Sequence, residues 1–181
     1  MSNQLILVLN CGSSSLKGAV IDRKNGKVLL SCLGERLGTP EAVITFSKDG
    51  KKCQTALTGR NDHAGAVGML LKELEKHGLH DRIKAIGHRI AHGGEKYSES
   101  VLIDQAVMDE LNACIPLAPL HNPAHLLGLR AAQTIFKGLP NVVVFDTAFH
   151  QTMPEHAYTY AVPHELYEKY GLRRYGAHGT S

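Results

Sequence analysis

The sequence predicts an α/β fold in which a mixed sheet is flanked by helices. An uninterrupted apolar run at residues 5–9 indicates a strand close to the amino terminus. Glycine-containing turns then separate further strand patterns, and from residue 62 onward helical and strand patterns alternate. Antiparallel strands that come first, followed by alternating helices and strands, are typical of a mixed sheet with helices packed against it.

Three antiparallel strands are expected first. The sequence LILVL at residues 5–9 contains no polar residue, which is the pattern of a strand buried on both faces. A second strand is predicted at residues 18–22. The dipeptide Asn25-Gly26 predicts a two-residue hairpin turn that leads into a third strand at residues 27–33.

The later elements are predicted largely from their end residues. Asp62 is an expected N-cap for a helix at residues 64–77, and Gly78 ends that helix. A helix at residues 123–136 is expected to have Asn122 as its N-cap and proline at its first position. The remaining expected elements are a peripheral hairpin around Asp49-Gly50 (residues 43–46 and 53–57), strands at 83–90 and 142–145, a helix at 105–114 capped by Asp104, and a helix at 164–170 closed by Gly171.

Composition and charge exclude several classes of partner. The 181 residues suffice for one domain with a sizeable core, and the 43% hydrophobic and 20% charged fractions are those of a soluble globular protein. A net charge of +3 and only 6% aromatic residues predict no nucleic-acid partner. No stretch approaches the ~20 apolar residues of a membrane span, and no basic signal-peptide region is present. We therefore expect no membrane partner and a cytoplasmic location.

Cysteines and histidines offer two sites that we consider weaker. The four cysteines form no C-x-x-C pair, so free thiols are expected, and a small side chain at a strand end is favoured over a nucleophile for Cys11. His88 and His92, and likewise His121 and His125, are spaced i, i+4, which on a helix can hold zinc. However, the first pair runs from a strand into a diglycine turn, and only His125 of the second pair is expected to be helical. A zinc site is therefore disfavoured.

A serine-rich loop near the amino terminus has the composition of a phosphate cradle. It lies in the sequence LNCGSSSLKGAVID, residues 9–22. The familiar phosphate-binding loop reads G-x-x-x-x-G-K-[ST] and opens a helix, but here no second glycine precedes Lys17 and a strand pattern follows. The loop therefore joins two strands. An ordinary polar turn and a phosphate cradle both fit its composition.

Reactive side chains cluster where the predicted strands end. In open α/β sheets, ligands bind at the carboxyl ends of the strands. Hydroxyls, two cations and a carboxylate at these ends are the groups that phosphoryl-transfer sites use. The carboxylate suits a Mg²⁺ ion that accompanies the phosphates. Taken singly, each residue also fits a polar turn, a structural salt bridge or a cap, so their coincidence favours the functional interpretation. These residues are Ser13, Ser14, Ser15, Lys17, Arg89 and Asp146.

Five stretches, in this order, resemble the acetate kinase family: LVLNCGSSSLK, IGHRIAHGGEKY, PLAPLHNPAHLLG, VFDTAFHQTMP and RRYGAHGTS. The resemblance implies reversible formation of acetyl phosphate and ADP from acetate and ATP, with Mg²⁺ as cofactor. It also implies the superfamily of sugar kinases, heat-shock chaperones and actin, whose members have two ribonuclease-H-like lobes. Residues 1–181 would form the amino-terminal lobe, with the carboxy-terminal lobe absent. Acetate kinases are homodimers through that second lobe, so this chain alone is expected neither to form that dimer nor to turn over.

The resemblance also implies roles for individual residues. Asn10 would match a magnesium-associated asparagine, and Ser13, Ser15 and Lys17 the loop that handles ATP phosphates. Arg89 would hold the acetate carboxylate, with His121 as a secondary polar contact. Asp146 would be the catalytic acid, and His178 would stabilise the phosphoryl group in transfer. The small pocket around the acetate methyl group would be formed by Ala91, Leu120 and Ala177.

Two alternatives remain open at this point. Family members often carry larger side chains at the positions of Ala91 and Ala177, so a propionate or butyrate kinase is an alternative of the same fold. A non-catalytic anion- or nucleotide-binding module is an alternative of another class. Lys17, Arg89 and Asp146 all retain the charge that catalysis needs, which disfavours the second alternative.

Overall fold

One mixed sheet of eight strands forms the framework of the protein, for which a computed structural model describes residues 4–179. Met1 to Asn3, and the last two residues of the RRYGAHGTS stretch, lie outside the described residues. The strand order in the sheet is β5-β4-β3-β2-β1-β6-β8-β7. The strands are β1 (Leu5–Cys11), β2 (Ser15–Asp22), β3 (Val28–Glu35), β4 (Val43–Lys48), β5 (Lys51–Ala56), β6 (Ile83–Ile90), β7 (Val101–Leu102) and β8 (Asn141–Phe145).

The described part of the chain has five α-helices beside the sheet. The long ones cover a sheet face, whereas the last two are short and lie in the carboxy-terminal segment. Within residues 4–179, no helix combines the length and the apolar character needed to cross a membrane. The helices are α1 (His63–Lys76), α2 (Gln105–Ala113), α3 (Asn122–Ile135), α4 (Glu155–Tyr158) and α5 (Glu165–Tyr170).

The antiparallel half of the sheet is larger than expected. β1, β2 and β3 pair antiparallel as predicted, and β4 and β5 continue the same sheet to its edge. The two-residue turn at Asp49-Gly50 is confirmed, because both residues have positive φ (50° and 76°) and the flanking lysines are paired. The two-residue turn predicted at Asn25-Gly26 is wrong. Asp22 N–H bonds to the Lys27 carbonyl at 2.9 Å, so four residues form that turn.

The parallel half of the sheet brings distant parts of the chain together. β1 pairs parallel with β6, and β6 pairs parallel with β8, so the carboxyl ends of these three strands lie at one edge. The two-residue strand β7 was not anticipated, and it pairs antiparallel with β8. The predicted α/β mixed sheet, with antiparallel strands first and alternating helices and strands afterwards, is confirmed.

The hydrophobic core lies between the sheet and one layer of helices. Leu5, Leu7 and Leu9 are buried against α1 and α3, whereas Val8 on the opposite face of β1 is exposed. The expectation that β1 is buried on both faces is therefore wrong for the described residues. The reason is that the long helices pack on a single face, and a strand then alternates between covered and open positions.

Two of the three predicted N-caps are confirmed. The Asp62 side chain accepts a hydrogen bond from Gly65 N–H at 2.8 Å, and Asp104 does the same for Val107 N–H. The third is wrong, because α3 begins at Asn122 itself and the preceding His121 makes no side-chain cap. The Asn122 amide is instead engaged by the loop after β6. The four cysteines are free, as expected, and only Cys53 is exposed.

Two adjacent leucines of α3 provide a matched test of the packing. Leu126 is 2% exposed in the core between α2, α3 and the sheet, whereas Leu127 is 48% exposed. We expect Leu126→Ala to lower the free energy of unfolding by ~2–5 kcal/mol, because it removes buried atoms and leaves a cavity. Leu127→Ala is expected to change it by less than ~1 kcal/mol. Urea unfolding followed by circular dichroism measures both, and equal effects would contradict the packing.

Candidate active site

The predicted site residues of three different strands meet at the carboxyl edge of the parallel half-sheet. Asn10 is near the end of β1, Arg89 is near the end of β6, and Asp146 directly follows β8. The strand register places Leu9 beside His88 and Ile90 beside Phe145, and Asp146 N–H bonds to the Ile90 carbonyl at 3.0 Å. The sheet therefore aligns the three side chains in one row.

An ion pair between Arg89 and Asp146 forms the centre of this row. Arg89 Nε lies 3.0 and 3.1 Å from the two carboxylate oxygens of Asp146, and Nη2 lies 2.5 Å from Oδ2. Arg89 Nη1 reaches Asn10 Oδ1 at 3.4 Å. The hydrogen bond to Asp146 raises the pKa of Arg89. Because the Asp146 side chain is only 3% exposed, this guanidinium supplies much of the charge compensation that burial of a carboxylate requires.

A cavity of about 540 Å³ opens beside this ion pair. The resemblance implied three roles near the carboxylate: binding of the carboxylate, contact with the methyl group, and catalysis. Residues predicted for each of these roles line the cavity. The sequence prediction missed other lining residues, although most of them lie within the stretches that carried the resemblance. The predicted residues in the wall are Arg89, Ala91, Leu120, His121, Asp146, Ala177 and His178, and the unpredicted ones include His92, Thr147, Tyr160, Arg173 and Tyr175.

The carboxy-terminal segment folds back over the cavity. Gly179 N–H bonds to the Asp146 carbonyl at 2.8 Å, and His178 Nδ1 lies 3.5 Å from Asp146 Oδ2. The side chain of His178 is 75% exposed, and its φ of 62° is in the left-handed region. Gly176 packs so closely on His150 that a Cβ atom there would lie 1.9 Å from the imidazole ring. Only glycine lets the segment approach this closely.

The serine loop lies next to the cavity but does not line it. Gly12 N–H bonds to the Ser15 carbonyl at 2.8 Å, and His63 Nε2 lies 2.7 Å from the Gly12 carbonyl. Ser13 and Lys17 are exposed, and Lys17 pairs across the sheet with Asn10. Ser13 borders a second hollow of about 500 Å³, which shares Leu120 with the first. The loop and the cavity are thus two adjacent parts of one surface.

The oxygen atoms that could act as metal ligands in the site suit a magnesium ion better than a zinc ion. The amide oxygen of Asn10 and the carboxylate of Asp146 both contact Arg89, and oxygen ligands are what Mg²⁺ prefers. Among residues 4–179, no three histidine, cysteine or acidic side chains are grouped to hold a metal. His88 Nε2 lies 2.7 Å from Asn141 Oδ1. Cys11 is also unsuited to be a nucleophile, because burial raises its pKa to about 12.

The loop after β6 is held by side chains that the sequence prediction did not assign. Ala91 N–H bonds to His125 Nδ1 at 3.1 Å, and Gly93 N–H bonds to Thr147 Oγ1 at 3.2 Å. Asn122 Oδ1 accepts from His92 N–H at 3.1 Å, and Asn122 Nδ2 donates to the His92 carbonyl at 2.9 Å. These bonds connect α3 and the β8 end to the cavity wall, so the loop has a defined backbone path.

The buried imidazole of His125 predicts a pH-dependent stability. Burial, with the positive charge of Arg89 adding to it, lowers the pKa of His125 to about 4. The unfolded state binds this proton near pH 6.5, so the stabilisation is complete above pH 6.5 and is lost as the pH falls towards 4. We expect a loss of up to about 1.4 kcal/mol in unfolding free energy per pH unit in this window.

A substitution isolates this contribution from other titrating groups. In His125→Asn, the amide oxygen can still accept from Ala91 N–H, but nothing at that position titrates. The unfolding free energy of this variant is expected to fall less steeply than that of the unchanged chain between pH 6.5 and pH 4. Both are measured by chemical denaturation. If the unfolding free energies of the two proteins fell in parallel with pH, the pKa of His125 would be the same in the folded and unfolded states, and the prediction would be wrong.

Known proteins resemble this chain in both sequence and structure. The sequence model described as the Acetokinase family matches residues 5–181. The chain belongs to the acetokinase family. It is 83% identical to acetate kinase 2 of Neisseria meningitidis serogroup B over all 181 residues, which are 45% of that protein. It is also 54% identical to the acetate kinase of Chromobacterium violaceum over 179 residues, which are 99% of this chain and 45% of that protein.

Solved structures of the acetokinase family share the fold. A propionate kinase from Francisella tularensis matches with a TM-score of 0.94 and 46% identity, over 98% of this chain and 46% of that one. The acetate kinase of Porphyromonas gingivalis matches with a TM-score of 0.90 and 44% identity, over the same shares of the two chains. The chain therefore spans slightly less than half the length of the acetokinase proteins that it matches.

Proposed function

We propose that this chain supplies the carboxylate-facing part of an active site that transfers the γ-phosphoryl group of ATP to acetate. The products are acetyl phosphate and ADP, and the reaction is reversible. The observation that supports this most is the Arg89–Asp146 ion pair, with His178 beside it, in the wall of a cavity that also has small apolar residues. An anion with a short apolar chain fits such a cavity.

Arg89 is the proposed carboxylate-binding group. Its Nε and Nη2 atoms contact Asp146 and its Nη1 atom reaches Asn10, which fixes the plane of the guanidinium and leaves one N–H on each of Nη1 and Nη2 for a ligand. A carboxylate is already ionised at pH 7, so no strong general base is needed to activate it. In this proposal, orientation and charge neutralisation account for most of the catalysis.

Asp146 and His178 are the proposed catalytic residues. Asp146 holds Arg89 in place and, together with Asn10, would hold Mg²⁺, which when bound neutralises charge on the phosphates. His178 lies above Asp146 on the exposed side, where a hydrogen bond to the planar phosphoryl group would stabilise it in transfer. Lys17 pairs with Asn10 across the sheet, and Lys17, Ser13 and Ser15 would contact phosphate oxygens of ATP.

Propionate is a second candidate substrate. Ala91 and Ala177 are both short side chains in the cavity wall, and one family structure that matches closely is described as a propionate kinase. One methylene group contributes only ~1–3 kcal/mol to discrimination in an apolar pocket. We therefore propose that acetate and propionate are both accepted, with butyrate weaker.

A full-length protein provides the test of this reaction. The sequence of residues 1–181 would be continued by the carboxy-terminal half of the 83% identical relative, and acyl phosphate would be trapped as the hydroxamate. Formation that needs ATP, Mg²⁺ and a short carboxylate is the expected result. The kcat/KM values for acetate, propionate and butyrate then order the substrates. Nucleotide binding without any acyl phosphate would instead favour the non-catalytic binding module.

The oligomeric state is a separate proposal. By resemblance to the family, we propose that the full-length protein is a homodimer through its second lobe and that the 181-residue chain does not form this dimer. Multi-angle light scattering on both proteins distinguishes the two states. A dimer of the 181-residue chain with the same affinity would contradict the proposal.

A further inference from the structure

His92 is one of the residues of the cavity wall to which neither the resemblance nor the charge pattern assigned a role. It follows Ala91 in the loop after β6 and lines the cavity together with Arg89. It is 8% exposed, so its ring is mostly enclosed by protein. A polar side chain in such a place needs hydrogen-bond partners.

The backbone and the ring of His92 are both held in place. The buried side chain of Asn122 bonds to the amide N–H and to the carbonyl of His92, at 3.1 and 2.9 Å. The His92 ring packs edge-on against Tyr175, with 4.6 Å between the ring centroids. Gly94 N–H donates to His92 Nδ1 at 3.1 Å. The ring therefore has a defined orientation within the wall.

The hydrogen bond from Gly94 determines where the imidazole proton lies. Because Nδ1 accepts a hydrogen bond, the proton of the neutral ring is on Nε2. Burial lowers the pKa of His92, which keeps the ring neutral at pH 7. Among residues 4–179, no hydrogen bond to His92 Nε2 is present. His92 is thus a neutral donor in the wall of the cavity, and its donor atom has no protein acceptor in that range.

We propose that His92 is a further substrate-binding residue, whose Nε2–H donates to an oxygen of the bound carboxylate. This inference rests on the proposed function of the cavity. Arg89 alone cannot offer its full set of donors to the substrate, because Nε and Nη2 contact Asp146 and Nη1 reaches Asn10. A carboxylate has two oxygens with about four acceptor positions, so it can accept from Arg89 and His92 together. A neutral donor adds a hydrogen bond without adding another cation beside Arg89.

Three substitutions in the full-length protein separate binding from structural support. His92→Asn keeps an acceptor near the position of Nδ1 and loses the distal donor. His92→Gln places an amide NH₂ near the position of Nε2, and His92→Phe keeps the aromatic packing on Tyr175. We expect His92→Asn and His92→Phe to raise the KM for acetate by about 10- to 100-fold with a smaller change in kcat, and His92→Gln to retain a KM within about fivefold.

A spectroscopic measurement on the unsubstituted 181-residue chain tests the same contact without risk of misfolding. With ¹⁵N-labelled histidine, the His92 ring is expected to be the Nε2–H tautomer, and its Nε2 resonance is expected to shift on titration with sodium acetate. Sodium chloride at the same ionic strength is the control. An Nδ1–H tautomer, or an Nε2 resonance that acetate does not move, would overturn the inference.

The outcomes distinguish this inference from the proposed function. If the full-length protein forms acyl phosphate but His92→Gln has a KM no better than His92→Asn, the reaction stands and the role of His92 is wrong. If the full-length protein forms no acyl phosphate, the proposed function fails by itself. A shift of the His92 resonance by acetate would then still establish the binding contact.

Discussion

Acyl phosphate formation by the 181-residue chain alone is expected to be below detection. The proposed site on this chain has Arg89, Asp146 and His178, but the side chain of His178 is 75% exposed, so water would reach the proposed position of phosphoryl transfer. By resemblance, the other half of acetate kinases contributes a second catalytic arginine, a magnesium-binding glutamate and the adenosine pocket. Removal of one well-placed transition-state donor lowers the rate by ~10²–10³, and a polypeptide of these 181 residues alone would be without several such groups together.

A coupled assay and calorimetry on the same sample measure this prediction. The full-length protein described above is the positive control, and it is expected to turn over under the same conditions. Calorimetry is expected to show weak binding of acetate by the 181-residue chain, with no preference for adenine nucleotides over other anions. Turnover by the chain alone, at a rate near that of the full-length protein, would show that the 181 residues already contain all essential groups.

Arg89→Ala in the full-length protein is expected to lower kcat/KM for acetate by about 10³-fold or more. This substitution removes both the proposed carboxylate ligand and a principal hydrogen-bond partner of Asp146. Truncation of one partner of a buried, hydrogen-bonded charge pair typically costs ~2–5 kcal/mol, in addition to the lost contacts with substrate. Steady-state kinetics with acetate as the varied substrate measures the effect.

Two further variants control for charge and for folding. Arg89→Lys keeps the cation but cannot reproduce the bidentate geometry, so we expect it to recover only part of the lost activity. Arg130→Ala removes an exposed arginine of α3, which bonds to Asn112 at 3.0 Å and does not line the cavity. Its kcat/KM is expected to be unchanged. If Arg89→Ala retained full affinity for acetate, the carboxylate would bind elsewhere.

The sequence itself determined the order of elements and the local ends of most of them. Asp62 and Asp104 are confirmed as N-caps, and Asp49-Gly50 is confirmed as a two-residue turn. These features depend on contacts within a few residues, so local chemistry is sufficient to predict them. The motifs also contained several residues of the cavity wall, because Arg89 lies near the carboxyl end of one strand pattern and Asp146 directly follows another.

The tertiary structure alone decided how the pieces of the site are supported. The sequence predicts Asn122 as an N-cap, yet Asn122 is the first residue of α3 and its amide bonds to His92, 30 residues earlier in the chain. The ring orientation of His92 depends on Gly94 and on Tyr175, and the exposed face of β1 depends on where the helices pack. Such contacts join residues that are far apart in the chain. A local pattern shows which groups can form hydrogen bonds, whereas the packing of distant segments decides which partner each group receives.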